Sequence, residues 1–418
     1  MDMATNGASN APHTLYVALQ STGIVEISFD PSKEPEKSIS IVGVSTDAGY
    51  MPGWVVVSRD KVYSISRTSS PGSEDESGGV FAFQIPDGAS GDRGLTRIDS
   101  KSSNGKGGVH CEVSPDGKTF AAANITASTV SIFQLSEDGS MGQPTHIFDY
   151  NKSDPGPKEA HPHQATFDPT GRFLFVPLRT MDRVEIYSVR SARQDQRVHS
   201  IDLPVPAGPR HLAFNSISPL KAYMYLVSEK DNTIRVYSVT YDDTSASGIT
   251  MNLKQTLSTI EKDMAPTPDE HKDLASEVAV SKDGKFVYVS NRNLTRAEPD
   301  TMVIYSINSD QANNDETHLT FIKAQEVPGK HPRNFALSND KDNKWVAVSN
   351  QFTQDIVIIE RDLTTGLLGD VKGRVNLKVE EPHQPSPDKV VFSDVPSKMT
   401  REDFLKNRAN GPMCVVWK

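Results

Sequence analysis

The chain has 418 residues, with 44 Lys and Arg against 54 Asp and Glu, a formal net charge of −10, and only two cysteines. That balance excludes a broadly basic face for nucleic acid or anionic lipid, so an anionic ligand would need a local group of arginines. Two widely separated cysteines, Cys111 and Cys414, do not make a disulfide framework; they read as small buried hydrophobes in a protein of a reducing, cytoplasmic compartment.

Residues 1–12 are polar and lack the basic and apolar stretches of a secretory signal, so they read as a disordered tail before a single domain spanning 13–418. No run approaches the roughly 18 apolar residues needed to cross a bilayer, and no membrane partner is expected. Alternation with period two then dominates: Leu15-Tyr-Val-Ala-Leu19, Gly79-Val-Phe-Ala-Phe-Gln-Ile85, Thr129-Val-Ser-Ile-Phe-Gln-Leu135, Arg183-Val-Glu-Ile-Tyr-Ser188, Thr233-Ile-Arg-Val-Tyr-Ser238, Thr301-Met-Val-Ile-Tyr-Ser306 and Asp355-Ile-Val-Ile-Ile359. These predict strands. Helix is nearly missing; the best stretch for a turn or two begins at Thr400.

Turn markers recur at Asp60, Asp116, Asp168, Ser218, Asp283 and Asp340, spaced by 56, 52, 50, 65 and 57 residues. Such spacing suits a propeller blade of four strands. Units centred near residues 54, 110, 163, 210, 277 and 333 give six blades, and Leu15–Phe29 with Met413–Trp417 are expected to combine into a seventh that closes the ring. The predicted fold is therefore all-β, a seven-bladed β-propeller. Polar stretches at Ser69–Gly78, Tyr241–Gly248, Ala265–Lys272, Asn308–Glu316 and Glu380–Pro387 read as loops.

In the second half, each unit begins and ends on a polar residue. Because a hairpin returns the chain to the edge it left, His163, Arg210, Glu229, Glu277, Arg292, Arg333 and Asn350 are expected on one face around one axis. Trp54, Trp345 and Trp417 read as core, with Trp54 also able to line the channel. His110, His211, His331 and His383 read as scaffold or rim groups, and His161 as a turn residue beside Pro162. The pair His161 and His163 lacks an Asp or Cys at ligand spacing, and no phosphate-cradling loop is present, so neither a metal nor an organic cofactor is expected.

Taken in order, His161-Pro-His-Gln, Asp168-Pro-Thr-Gly, Gly208-Pro-Arg-His-Leu-Ala-Phe, Ser276-Glu-Val-Ala-Val with Ser290-Asn-Arg, and His331-Pro-Arg-Asn-Phe-Ala-Leu resemble the seven-bladed propeller lactonases. That family includes propeller-type 6-phosphogluconolactonases and fungal 3-carboxy-cis,cis-muconate cyclases. The resemblance covers about residues 155 to 365. It implies a functional set of His163, Arg210, Glu229 and Arg292, with Arg333 and Glu277 beside them; Arg333, Glu277, Arg179, Asn350 and His110 are expected to bind substrate. Blades one and three depart from it, reading Val17-Ala-Leu-Gln and Ala123-Asn-Ile-Thr, and in blade four Pro177-Leu-Arg-Thr-Met replaces an Asp- and Gly-containing loop.

Opening a lactone takes a base for the attacking water and a cation where the oxyanion develops. Glu229 or His163 is expected as the base, and Arg210 and Arg292 as the oxyanion and anion-binding groups. The implied partner is a small anionic substrate, a phosphosugar lactone or a polycarboxylate, held in a blade-top pocket and hydrolysed there. Two alternatives stand beside it: a cyclase-like lactonising isomerase using the same groups, and a non-catalytic propeller serving as a binding scaffold.

Overall fold

The alternation of apolar and polar residues is realised as strands β1 to β28, grouped in seven four-stranded antiparallel sheets. The computed structural model describes residues 12–68, 77–87, 94–153, 159–189, 196–245, 247–260, 274–292, 299–308, 317–378 and 410–418. Six blades follow in sequence over residues 50–102, 108–149, 166–202, 209–258, 274–327 and 332–376. The remaining blade, blade one, has the C-terminal β28 (Pro412–Trp417) as its innermost strand, paired to β1 (His13–Leu19). Chain ends far apart in sequence thus close the ring, as expected, and leave no open sheet edge between first and last blades.

Of the expected polar loops, Tyr241–Gly248 is a tight connection in blade five, held by Asp242 accepting from the Thr244 backbone and hydroxyl. Residues 69–76, 265–272, 309–316 and 380–387, the stretch beginning at Thr400, His383 and the tail at 1–11 lie outside the described residues.

The marker residues build the turns for a common reason. Asp116 accepts from the Ser114 hydroxyl and the Lys118 amide, and Ser114 Oγ accepts from the Thr119 amide. Asp283 repeats this with Ser281, Lys285 and Phe286. Gly117 and Gly284 follow with φ of 76° and 66°, a left-handed conformation that glycine adopts without a Cβ penalty.

Each sheet is covered on both faces, and the core is accordingly seven cores, one between each pair of adjacent blades. Between blades one and seven, Phe29 meets Trp345 edge-to-face at 5.3 Å, and Trp417 packs against the same phenyl ring. Two-sided burial explains why a strand such as Phe286–Arg292 is buried at every position rather than at every second one. Cys111 and Cys414 are buried and free, as small hydrophobes would be.

One irregularity positions the site. In every blade the inner strand carries a bulge near its start, where two residues oppose one on the second strand: Pro209 pairs Ser228 and His211 pairs Val227, while Pro332 pairs Asn350 and Asn334 pairs Ser349. The same extra residue occurs in blades one, two, three and six, and in blade four between the Pro162–Leu178 bridge and the Thr166–Phe175 pair. A bulge breaks strict alternation, so consecutive side chains can both be aimed at the channel. It does this seven times around one axis.

Candidate functional site

The bulges sort the channel into three levels. The uppermost holds a residue at or just beyond the end of each second strand: Gln20, Arg67, Ile125, Arg179, Glu229, Arg292 and Gln351. Five of these amides are fixed alike, Gln20, Ile125, Arg179, Glu229 and Gln351 donating to the carbonyls of Gly411, Gly107, His161, Gly208 and His331. All seven line one cavity of about 470 Å³, with Met51, Val109, Thr126, His161, His163 and Arg333. That size suits a small-molecule ligand. The middle level holds the bulged residues, among them His163, Arg210 and Arg333. The lowest holds their successors, including Trp54, His110, Gln164, His211, Glu277 and Asn334.

The residues facing the rim enter their strands in a strained conformation. Met51, His161 and His331 have φ of 55°, 51° and 63°, where glycine (Gly107 and Gly208) serves in other blades. Side-chain-bearing residues in the left-handed region cost on the order of 1–3 kcal/mol and concentrate at functional sites. His161 is the turn residue expected, its Nε2 2.8 Å from Glu159.

Among the described residues that line the cavity, four guanidiniums, Arg67, Arg179, Arg292 and Arg333, stand with a single carboxylate, Glu229. Glu229 is gripped by the fork of Arg179, whose Nε and Nη2 donate at 3.1 and 2.9 Å. Arg210 Nε stands 3.4 Å and Arg292 Nη2 3.5 Å from the same carboxylate. Burial opposes ionisation there, but the charges of Arg292, Arg179 and Arg210 win and hold the group at about 2. A carboxylate so bound is a poor proton acceptor, so the expectation that Glu229 serves as base gives way to one of fixing three arginines. Arg333 differs: its guanidinium has neither a carboxylate nor a hydrogen-bond acceptor among the described residues, and burial with Arg210, Arg292 and Arg67 disfavours its charge.

His163 lies on the cavity wall. Burial, then the charges of Arg210, His211, Arg333 and Arg179, push its pKa well below the usual imidazole range, so the ring is neutral. Its Nδ1 is 3.1 Å from Nε2 of His211, and Nε2 has no partner among the described residues.

Four sequence expectations are corrected. Asn350 does not line the cavity: it lies one residue before the upper level, taken by Gln351, and its amide ties Pro328 O to Asp355. Glu277 does not sit beside Arg292, because Arg292 pairs with Leu274, and the bulge sinks Glu277 to the lowest level. His110 lies at that level too, its ring tilted against Trp54 at 4.7 Å, and faces a separate cavity below with Gln164 and Glu112. Arg210 does not line the cavity: it is fully buried beside Glu229 and donates to Ser276 O. Arg179, Glu229, Arg292, His163 and Arg333 do converge.

Sequence reasoning missed Arg67, Gln20 and Gln351, and read His211 as scaffold. The signal for Arg67 was present, since Lys61-Val-Tyr-Ser-Ile-Ser-Arg67 repeats the design of Lys285-Phe-Val-Tyr-Val-Ser-Asn-Arg292. Among the described residues no group of three or more His, Cys, Asp or Glu is placed to hold a metal.

Comparison with known proteins bears on the fold and the family. A family model described as "Lactonase, 7-bladed beta-propeller" matches residues 13–385. The 6-phosphogluconolactonase of Formosa agariphila is 28% identical over 298 residues, covering 70% of this chain and 76% of that protein. The 6-phosphogluconolactonase of Bacillus subtilis is 27% identical over 359 residues, covering 84% and 91%. Among solved structures, the periplasmic gluconolactonase of Pseudomonas aeruginosa superposes with a TM-score of 0.70 at 22% identity, covering 88% of this chain and 97% of that one, which is a likeness of fold.

Proposed function

This chain belongs to the seven-bladed β-propeller lactonase family, and from that premise we propose that it hydrolyses a phosphorylated sugar lactone, 6-phosphogluconolactone, in the cavity ringed by Arg67, Arg179, Arg292 and Arg333. The carrying observation is the charge imbalance: four guanidiniums face one carboxylate in a protein of net charge −10. An anionic ligand would relieve that imbalance, and among the described residues the Arg333 guanidinium has no hydrogen-bond acceptor to satisfy its fork.

In this reading His163 Nε2 takes a proton from water as its oxygen attacks the lactone carbonyl. Arg333, beside it at the middle level, meets the oxyanion of the tetrahedral intermediate. The intermediate collapses with cleavage of the ring C–O bond, and the proton on His163 passes to the departing ring oxygen, leaving a hydroxy acid and a neutral imidazole. Arg67 and Arg179, on the upper level, hold the phosphate. Burial, with the charges of Arg210, Arg333 and Arg179, keeps His163 unprotonated at neutral pH, so the base is ready before substrate arrives.

The test is ring opening followed by NMR with 6-phosphogluconolactone, unphosphorylated gluconolactone and 3-carboxymuconate. Opening of the phosphorylated lactone well above the uncatalysed rate, with weaker action on the other two, is expected. Turnover of 3-carboxymuconate alone would overturn the hydrolase reading.

A further inference from the structure

The lowest level of the channel contains a buried chain of hydrogen bonds that the reaction as written does not use. His163 Nδ1 lies 3.1 Å from His211 Nε2, His211 Nδ1 lies 2.9 Å from Glu277 Oε1, and Asn334 Nδ2 donates to Glu277 Oε2 at 2.8 Å. It crosses four blades, taking one residue from each of blades four to seven. His211 is fully buried, and His163, Glu277 and Asn334 are nearly so.

Geometry fixes the direction of every bond. The Val415 amide donates to Asn334 Oδ1 at 2.9 Å, so the nitrogen end of that amide must face Glu277. Glu277 Oε1 also accepts from the Val278 amide at 3.1 Å, and with donors at both oxygens the carboxylate is ionised and acceptor-only. His211 Nδ1 must therefore carry the proton it donates to Glu277. A neutral His211 then has only a lone pair on Nε2, which obliges His163 to carry its proton on Nδ1. What remains to His163 is a lone pair on Nε2.

We propose that His211, Glu277 and Asn334 are positioning residues that lock His163 into the tautomer with a bare Nε2 and receive part of the charge when that atom takes the proton of the attacking water. This rests on the reading of His163 as the base. When Nε2 is protonated, its ring becomes an imidazolium whose Nδ1–H points at His211 Nε2; His211 Nδ1–H in turn points at the Glu277 carboxylate. No proton need leave the chain, so charge and atoms balance without a further acceptor. The carboxylate offsets the repulsion that Arg210, Arg333 and Arg179 exert on a cationic His163. Arg210 and Arg333 face His211 as well, and Glu277 is the acid that opposes them there. Trp54 and His110 close the other sides of the His211 ring, at centroid distances of 5.4 and 5.6 Å, leaving it no room to turn to other partners.

A wrong tautomer alone costs a serine-protease triad about 10⁴-fold in kcat, which sets the scale. Glu277→Gln keeps the shape and removes the charge that orders the tautomers. Expected in that variant are a fall in kcat of about 10²–10³-fold, a KM for 6-phosphogluconolactone within about threefold of wild type, and an acid limb of the pH–kcat profile moved to lower pH. Nitrogen-15 spectra of the histidine-labelled protein supply a readout that needs no turnover. The intact protein should show His163 as the single Nδ1–H tautomer, and Glu277→Gln a mixture or the reverse. Glu277→Asp should restore part of the tautomer preference and of kcat. An unchanged tautomer, or kcat within threefold of wild type, in Glu277→Gln overturns the proposal. Should His163→Ala itself keep full activity, the functional reading falls instead, while the tautomer result still stands or fails by itself.

Discussion

Blades four to seven and blades one to three use the same bulge for different ends. In the former, the upper and middle levels carry Arg179, Glu229, Arg292, His163, Arg210 and Arg333. In the latter, the same positions carry Gln20, Arg67, Ile125, Gly53, Val109 and Met413, so one charged group stands where the other half has five beside the neutral His163. The backbone is a seven-fold repeat, and the chemistry on it is one-sided. That asymmetry suggests a division in which one half activates water and meets the oxyanion, while the other shapes the cavity and, through Arg67, reaches the far end of the substrate.

The largest blow to that division is His163→Ala, with an expected loss in kcat of about 10³-fold and little change in melting temperature. Steady-state kinetics and a thermal melt check it, and an equal loss from Val109→Ala would erase the difference between the halves. Acid sensitivity comes next. His110, His163 and His211 are all driven below the usual imidazole range, first by burial and then, for each, by the charge of Arg210 among others. The unfolded chain therefore binds protons that the folded one refuses, and stability is lost as pH falls below about 6.5. Glu112, pushed by burial to about 7, pulls the other way with a single group. His318, pushed by burial to about 4, adds a fourth depressed imidazole, and the balance of three groups gives roughly 4 kcal/mol per pH unit as an upper bound, to be read from urea melts at pH 6.5 and 5.5. Stability that is flat over this window would contradict neutral imidazoles at the meeting of the two halves.

Arg333→Ala should lower kcat/KM by about 10²-fold, mostly through kcat. Arg67→Ala, from the other half, should raise KM for 6-phosphogluconolactone about tenfold, near 1.4 kcal/mol, and leave kcat and the unphosphorylated lactone nearly untouched. A kcat defect in Arg67→Ala would place blade two within the catalytic half. Smallest of all, Ile125→Val should change kcat/KM less than threefold.

Alternating strands, evenly spaced Asp and Ser turns and the split blade made the fold legible, because period-two burial and turn chemistry are local properties. The site was legible as a set of residues and not as a set of levels. Pairing the first polar residue of each unit with the last put Glu277 beside Arg292 and Asn350 in the cavity; Arg292 pairs instead with Leu274, three residues earlier, and Asn350 with Pro332, one earlier, and nothing local in Ser276-Glu277-Val278 announces the register. His211 looked like scaffold since its partners, His163 and Glu277, come from neighbouring blades, 48 and 66 residues away. Arg67 was overlooked because its blade lacks the other polar ends that drew attention to the second half.

The most direct measurement is the rate of 6-phosphogluconolactone opening, followed by NMR, in the intact protein and in His163→Ala at the same concentration and pH. The geometry requires rapid opening by the first and a rate near the uncatalysed one for the second. Equal rates in the two, or no acceleration by the intact protein, would contradict the assignment of this cavity.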